Sequence, residues 1–423
     1  MSAQVDRSPG TPSLTAREEA PAPPVPPAPP ARFRSAPERS RRLGRTLRLV
    51  ARVREPDEEL LARIGAALRQ QDEVGARLAA AMRLPAGDPR RVTMRAFRTA
   101  LADGVDAVPA APPALRAFFD HVTATPDWVD PDLVEEGAAT YLRFGQNAAD
   151  VLLQLSLIGG YRFGGPPDLL VATGGLTGDS TRRRLAETQT WTASLSKPLA
   201  LRRDADGRWG EGWRATVHVR AMHALVNASF ADSWDVERWG LPINQADQAG
   251  TLGLFDGVVL LGVRALGVPV SARESRAVMH LWKYVGWLMG VDEQWLVDDE
   301  RERHRLNYHV LLAQGDVTPA GSRLSRDIVT MLGGMEHGRW KQERTLSMLT
   351  AFLGRESMRD LGLGARPPWA HLYLLGLNTW RYRVDRRLPG GRARLDRWSA
   401  AVLDRTMADY FGTDAPAVGE LRV

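Results

Sequence analysis

The residues best suited to chemistry lie between positions 180 and 230. Arg184 and Thr188 are four apart, which places them on one face of a helix. If residues 211–230 are also helical, His223 shares an apolar stripe with Val219, Met222, Val226 and Phe230. A neutral imidazole held in an apolar interior suits an iron or haem ligand, and it is equally typical of an ordinary core histidine. The pattern alone leaves both interpretations open.

The composition restricts which metal sites are possible. The chain has eight His and no Cys, which excludes disulfides, a thiolate zinc site, an iron–sulfur cluster and a thiol nucleophile. The pairs His218/His223 and His304/His309 are each five apart and fall on different helix faces, so a zinc site is unsupported. A haem iron needs only one histidine, because the porphyrin supplies four nitrogens.

Two other side chains could assist such a site. Arg184 belongs to the run Arg182–Arg184, which is typical of a solvated turn, but it also starts a line that becomes apolar toward Leu195. An arginine there could bind a haem propionate or hold a catalytic carboxylate. Asp168 follows two prolines, a position typical of a helix N-cap.

Helical periodicity dominates the chain from about residue 56 onward. Apolar residues recur at three- and four-residue spacing over 56–83, 91–103, 113–124, 131–158, 179–197, 211–230, 245–266, 271–289, 292–314 and 321–353. Pro- and Gly-rich breakers separate these segments, and alternating strand patterns are scarce. The sequence therefore predicts an all-α domain over residues 55–423, with at most a small hairpin near 200–213.

Residues 1–54 differ in composition and are predicted to be a disordered Pro/Arg-rich tail. Residues 31–54 contain nine Arg and one Glu, so 1–54 carry +7 and the remaining chain carries −1. A nearly neutral body argues against nucleic-acid binding. The tail could contact a membrane through a short basic helix, but a solvated tail is the favoured interpretation. Without a recognisable export signal, the predicted location is cytoplasmic.

These motifs, in this order, resemble those of the latex-clearing proteins, which are haem b-dependent rubber oxygenases, and of the related mycophenolic-acid-pathway oxygenases. The resemblance covers roughly residues 120–385. It is carried by Arg-x-x-x-Thr (184–188), Arg-x-x-His-Ala (220–224), the segment 239–245 and the segment 282–291.

The resemblance implies a globin-like helical core around one haem b. His223 would be the proximal iron ligand, Arg220 a neighbouring group, and Arg184 and Thr188 the pair near the haem. Asp168 would stand in for the family's catalytic glutamate. Glu187 occupies the position of a family lysine that can cap the distal iron, so a lysine-capped state is not expected here.

The leading hypothesis is a haem b-dependent oxygenase that uses O2 on an apolar, isoprenoid-like substrate, with possible cleavage of a carbon–carbon double bond. The first alternative is a non-catalytic helical protein that binds haem or a lipid. The second alternative is an adaptor that binds an anionic surface through residues 1–54.

Overall fold

Helices provide the regular secondary structure in residues 28–174 and 179–411, the parts of the chain that this computed structural model describes. Within those ranges the β-type pairing is one isolated antiparallel bridge between Arg203 and Trp209, at the position of the predicted hairpin. The prediction of an all-α fold is confirmed.

The α-helices are α1 (Pro37–Leu43), α2 (Arg45–Ala51), α3 (Glu58–Ala67), α4 (Glu73–Met82), α5 (Met94–Asp103), α6 (Pro113–Thr123), α7 (Pro131–Arg143), α8 (Gln146–Val151), α9 (Pro166–Ala172), α10 (Asp179–Leu195), α11 (Glu211–Phe230), α12 (Val236–Trp239), α13 (Gln245–Phe255), α14 (Gly257–Ala265), α15 (Ala272–Leu288), α16 (Glu300–Ala313), α17 (Pro319–Gly333), α18 (Gly338–Asp360), α19 (Trp369–Arg383) and α20 (Gly391–Phe411). A π-helical turn, Leu152–Ile158, continues α8.

Several of the predicted long helices are divided in the structure. Gly145 separates α7 from α8 with a φ of 53°, which favours glycine. Asp72 precedes α4 in an extended conformation, and Asp256 separates α13 from α14 with its side chain accepting from the Gly257 N–H. Apolar periodicity runs through all three breaks, because it records which face is buried and not where the backbone turns.

An aromatic cluster joins four helices at the centre of the larger core. The Trp282 ring on α15 lies 5.3 Å from that of Tyr141 on α7, 5.8 Å from Trp191 on α10 and 4.9 Å from Phe255 on α13, measured between centroids. α7 and α15 approach so closely at Gly137 that a Cβ atom there would overlap the Ala277 carbonyl oxygen. α10 is joined to α11 by the buried Trp191 indole, which donates to Thr216 Oγ1 at 3.0 Å.

The N-terminal region differs from the predicted disordered tail. Residues 1–27 lie outside the described residues, but α1 and α2 are helical and pack on the body. Arg32 is 5% exposed and forms an ion pair with Asp247, while Arg39 pairs with Asp360 at 2.6 Å. The composition suggested a solvated basic stretch because the acidic partners are distant in sequence. The helical body therefore begins before the predicted boundary at residue 55.

None of the helices in the described parts of the chain combines the length and the apolar character that crossing a membrane requires.

Candidate functional site

The helix α11 has one fully buried face and one face that protein atoms cover only in part. Trp213, Val217, Arg220 and Ala221 on the first face are at most 2% exposed. The other face carries His223 and is partly accessible along its whole length, including Val219, Met222, Val226 and Phe230. This is the stripe predicted from the sequence, but the structure leaves it without full packing. An apolar stripe with an imidazole at its centre is therefore available to a ligand.

His223 lies deep in the protein, although part of its surface is accessible. Burial lowers the pKa of His223 to about 4, the nearby Asp72 opposes the shift, and the charge of Arg184 adds to it. Its Nδ1 is buried without a hydrogen-bond partner among the described residues. A ring that is deep yet incompletely covered borders an interior space. In its neutral form, the imidazole has an unshared nitrogen lone pair to donate.

Arg184 and Thr188 lie on α10, the helix that packs against α11. Arg184 is close enough to His223 to affect its pKa, so the structure brings these two residues of the predicted site together. Thr188 is exposed, and its hydroxyl donates to the Arg184 carbonyl oxygen at 3.1 Å. Both side chains are accessible one turn apart, as their spacing predicts.

Glu187 holds the arginines of α10. Arg184 Nη1 lies 3.2 Å from one Glu187 carboxylate oxygen, and Arg183 Nε lies 3.1 Å from the other. The Glu187 side chain is only 11% exposed. This carboxylate is therefore committed to two ion pairs on its own helix.

Arg220 is buried and points away from solvent toward α4. Its guanidinium donates to both carboxylate oxygens of Asp72, at 2.6 and 2.7 Å, and lies over the Phe118 ring at 5.5 Å from the centroid. Such a bidentate pair fixes both charge and geometry. Asp72 was not singled out from the sequence, because residues 56–83 were predicted to be one helix. The available signal was an aspartate preceding Glu73, a combination typical of a helix start.

Asp168 lies in the first turn of α9, and it forms no ion pair with Arg184 in the part of the chain that the structure describes. One of its carboxylate oxygens, Oδ2, accepts from the Gly165 backbone N–H at 2.9 Å and from Thr318 Oγ1 at 3.0 Å. The first bond closes the start of α9, but the N-cap residue is Gly165 and Asp168 stands at N3, so the expected N-cap position of Asp168 is wrong. The structure therefore brings Arg184 to His223 and Glu187, whereas the hydrogen-bond partners of Asp168 are Gly165 and Thr318.

A groove of about 570 Å³ opens beside α11. It shares Gln71, Ala76, Ala224 and Asn227 with a small void that His223 also lines. Its remaining lining is apolar apart from one arginine: Ala80, Arg83, Ala228, Ala231, Val236, Leu241 and Pro242. Its volume lies within the usual range of small-molecule sites.

Gln154 is a polar residue buried among apolar ones, and the sequence did not predict a role for it. Gln154 is fully buried in the π-helical turn, and neither its amide nitrogen nor its amide oxygen has a partner among the described residues. π-helical turns occur frequently at functional sites. The available signal was a single glutamine in the run Leu152–Ile158.

Comparisons with known proteins place this geometry in context. Residues 142–402 match the family model described as ER-bound oxygenase mpaB/B'/Rubber oxygenase, catalytic domain. The chain is 22% identical over 272 residues to the rubber oxygenase of Streptomyces sp. (strain K30), a match that spans 60% of this chain and 62% of that protein. The solved latex clearing protein LCP, in its closed state, has the same fold with a TM-score of 0.54 and 18% identity, over 75% of this chain and 91% of that one.

Proposed function

This chain belongs to the mpaB/rubber oxygenase catalytic-domain family, and on that premise we propose that it is an oxygenase that binds haem b in a globin-like helical pocket. The proposal rests on the environment of His223. Its imidazole is deep, neutral and without a partner at Nδ1, and it lies at the centre of an incompletely covered apolar stripe.

The residues present fit a haem. His223 would bind the haem iron through its imidazole, and the apolar stripe of α11 around it would hold the haem. Arg184 lies near His223 and already has Glu187 as a carboxylate partner, which favours contact with a haem propionate over contact with Asp168. Arg220 would position α11 through its ion pair with Asp72 and not touch the haem.

Bound haem would supply the iron at which O2 reacts with an unsaturated substrate. The remaining steps fall to this chain's own residues. Asp168 is proposed as the base that removes an allylic proton from the substrate. Its Oδ2 accepts two hydrogen bonds, which stabilise the carboxylate, while Oδ1 has no hydrogen bond to a described residue. Thr188 presents an accessible hydroxyl on the Arg184 face and is proposed to orient the reacting molecules.

The proposed substrate is an apolar, isoprenoid-like molecule. The partly covered stripe of α11 provides apolar surface beside His223, and the alanine-lined groove shares part of its lining with the void at His223. Glu187 stands at the position of the family's capping lysine, and its two ion pairs with Arg183 and Arg184 support a distal site without a lysine cap. Cleavage of a carbon–carbon double bond is the proposed reaction.

An absorption spectrum of the purified protein, produced with ample haem precursor, tests cofactor binding. We expect a Soret band in the wild-type protein and its loss in His223→Ala. The matched control is His371→Ala, because His371 on α19 also has a lowered pKa and a buried Nδ1 without a partner among the described residues. A haem-free wild-type protein, or equal haem loss in both variants, would contradict the proposal.

The alternative, a non-catalytic haem- or lipid-binding protein, is favoured by the partners of Asp168, which are Gly165 and Thr318 and do not include Arg184. Oxygen consumption with a polyisoprene oligomer distinguishes the two. We expect consumption by the wild-type protein and a loss of about 100-fold or more in Asp168→Asn, with the haem spectrum retained. A haem-containing wild-type protein that consumes no oxygen would favour the carrier.

A further inference from the structure

The helix α19 exposes its large apolar side chains to solvent. One face packs on the body through Ala370, Leu374, Asn378 and Tyr382, which recur every four residues. The opposite face carries Leu372, Tyr373 and Trp380, which are 61%, 59% and 55% exposed. A surface helix normally carries polar residues on its outer face. Packing within the described chain therefore does not account for the apolar outer face of α19.

This exposed surface continues beyond α19. Among the ten large apolar residues exposed in the described chain, eight belong to it, and only Leu49 and Leu199 lie elsewhere. Trp340 on α18 is linked to it through Arg344, which lies 5.6 Å from the Trp340 ring centroid and within electrostatic reach of Tyr373. We call the set the α19 apolar face: Trp340, Trp369, Leu372, Tyr373, Leu375, Trp380, Val384 and Leu388.

Positive charge surrounds the same face. Residues 369–394 contain six Arg and one acidic residue, Asp385, for a net charge of +5. Arg383, Arg387 and Arg392 are exposed and form no ion pair with a described residue, whereas Arg394 is paired with Asp385 at 2.5 Å. Three arginines that have no ion-pair partner in the described part of the chain thus border an exposed surface rich in Trp, Tyr and Leu.

We propose that the α19 apolar face docks this protein onto an anionic lipid bilayer surface. Trp and Tyr are the side chains that occupy the boundary between headgroups and acyl chains. Arginines beside them attract anionic headgroups, and a helix with this composition lies in the plane of the interface. A two-fold dimer through this face is disfavoured, because it would bring the arginines of both copies together. The proposal does not depend on haem binding or oxygenase activity.

Co-sedimentation of the full chain with lipid vesicles tests the proposal. We expect binding to phosphatidylcholine vesicles that contain phosphatidylserine, and much weaker binding to pure phosphatidylcholine. The double variant Arg383→Gln/Arg387→Gln should reduce partitioning onto the anionic vesicles by about 30-fold. The double variant Leu372→Ser/Trp380→Ser should reduce it by at least about tenfold on both vesicle types.

Matched controls separate this face from the basic N-terminal region. Arg41→Gln/Arg45→Gln removes the same charge from exposed positions of α1 and α2, and Leu49→Ser removes a leucine that is 77% exposed. Both should bind vesicles as the wild-type protein does. Equal loss in the Arg41/Arg45 variant would place the binding on the N-terminal helices and overturn the proposal.

The state of the protein without lipid completes the test. All variants replace exposed side chains, so unchanged thermal unfolding shows that a loss of binding is not a loss of folding. Sedimentation velocity without lipid should show a single species that Leu372→Ser does not change. No binding to anionic vesicles, together with a dimer that Leu372→Ser dissociates, would show that a second copy covers the face and would overturn the proposal.

Discussion

His223 obtains its chemical character from where α11 places it. An imidazole on a solvent-facing helix would be partly protonated near neutral pH, whereas burial lowers the pKa of His223 to about 4. Arg184 reinforces the shift without bonding to the ring. The residue types alone do not give this property. The packing of α10 against α11 is what places a neutral imidazole, with a nitrogen lone pair to donate, beside the positive charge of Arg184.

Glu300 shows the opposite case, a buried carboxylate kept charged by its neighbours. Burial alone would raise its pKa, but hydrogen bonds from His304 at 3.2 Å, from Arg264 and from Ser275 at 2.5 Å lower the pKa to about 2. A folded-state pKa below the ordinary 4.5 stabilises the fold above that pH, and the stabilisation is lost as the pH falls toward 2.

For this residue we predict that Glu300→Gln lowers the free energy of unfolding by up to about 3 kcal/mol at pH 7. The difference from the wild-type protein should shrink as the pH falls below about 4.5. Urea unfolding at a series of pH values measures it. Glu302→Gln, which changes an exposed carboxylate on the same helix, should stay within about 0.5 kcal/mol. A difference that does not vary with pH would show that lost packing, and not charge, causes the effect.

Individual elements are fixed by buried polar pairs as well as by apolar packing. The break between α13 and α14 is held by Asp256, which pairs at 2.8 Å with Arg303 of α16, both side chains being fully buried. Burial raises the pKa of Asp256, and Arg303 opposes that rise. Each charge is tolerated inside the core because the other is present. The pair therefore fixes where one helix ends and the next begins.

For these elements we predict that Asp256→Ala destabilises the protein by about 3–5 kcal/mol, because it leaves the Arg303 charge buried and unpaired. Glu211→Ala removes one partner of the exposed Lys197–Glu211 pair and should cost less than about 1 kcal/mol. Guanidinium unfolding of both variants provides the comparison. Equal effects would mean that burial does not determine the contribution of this ion pair.

For the whole molecule, the N-terminal helices α1 and α2 form part of the folded body. Arg32 reaches Asp247 and the Gly164 carbonyl, while Gly44 lies so close to Tyr308 that a Cβ atom there would be 2.9 Å from its ring. These contacts connect the beginning of the chain to α13 and α16. The positive charge at residues 31–54 is thus partly neutralised by acidic residues far along the sequence.

For the whole molecule we predict that deleting residues 1–51 destabilises the protein more than deleting residues 1–27 does. Deleting residues 1–51 should destabilise the protein by about 3–5 kcal/mol or more, because Asp247 loses its buried partner. Differential scanning calorimetry of the two truncated proteins measures this. A stable protein without residues 28–51 would show that these helices are accessory to the fold.

The sequence by itself determined the helical class, the stripe around His223 and the spacing of Arg184 and Thr188, because helical periodicity is a local property of the chain. The family followed from the same motifs. Only the tertiary structure decided the Asp72–Arg220 pair, the breaks at Asp72 and Asp256, and the folding of residues 28–54. Each of these depends on a partner distant in sequence or on a local backbone turn, which apolar spacing does not record. The same limit applies to α19, whose outer face became evident only when its buried side was known.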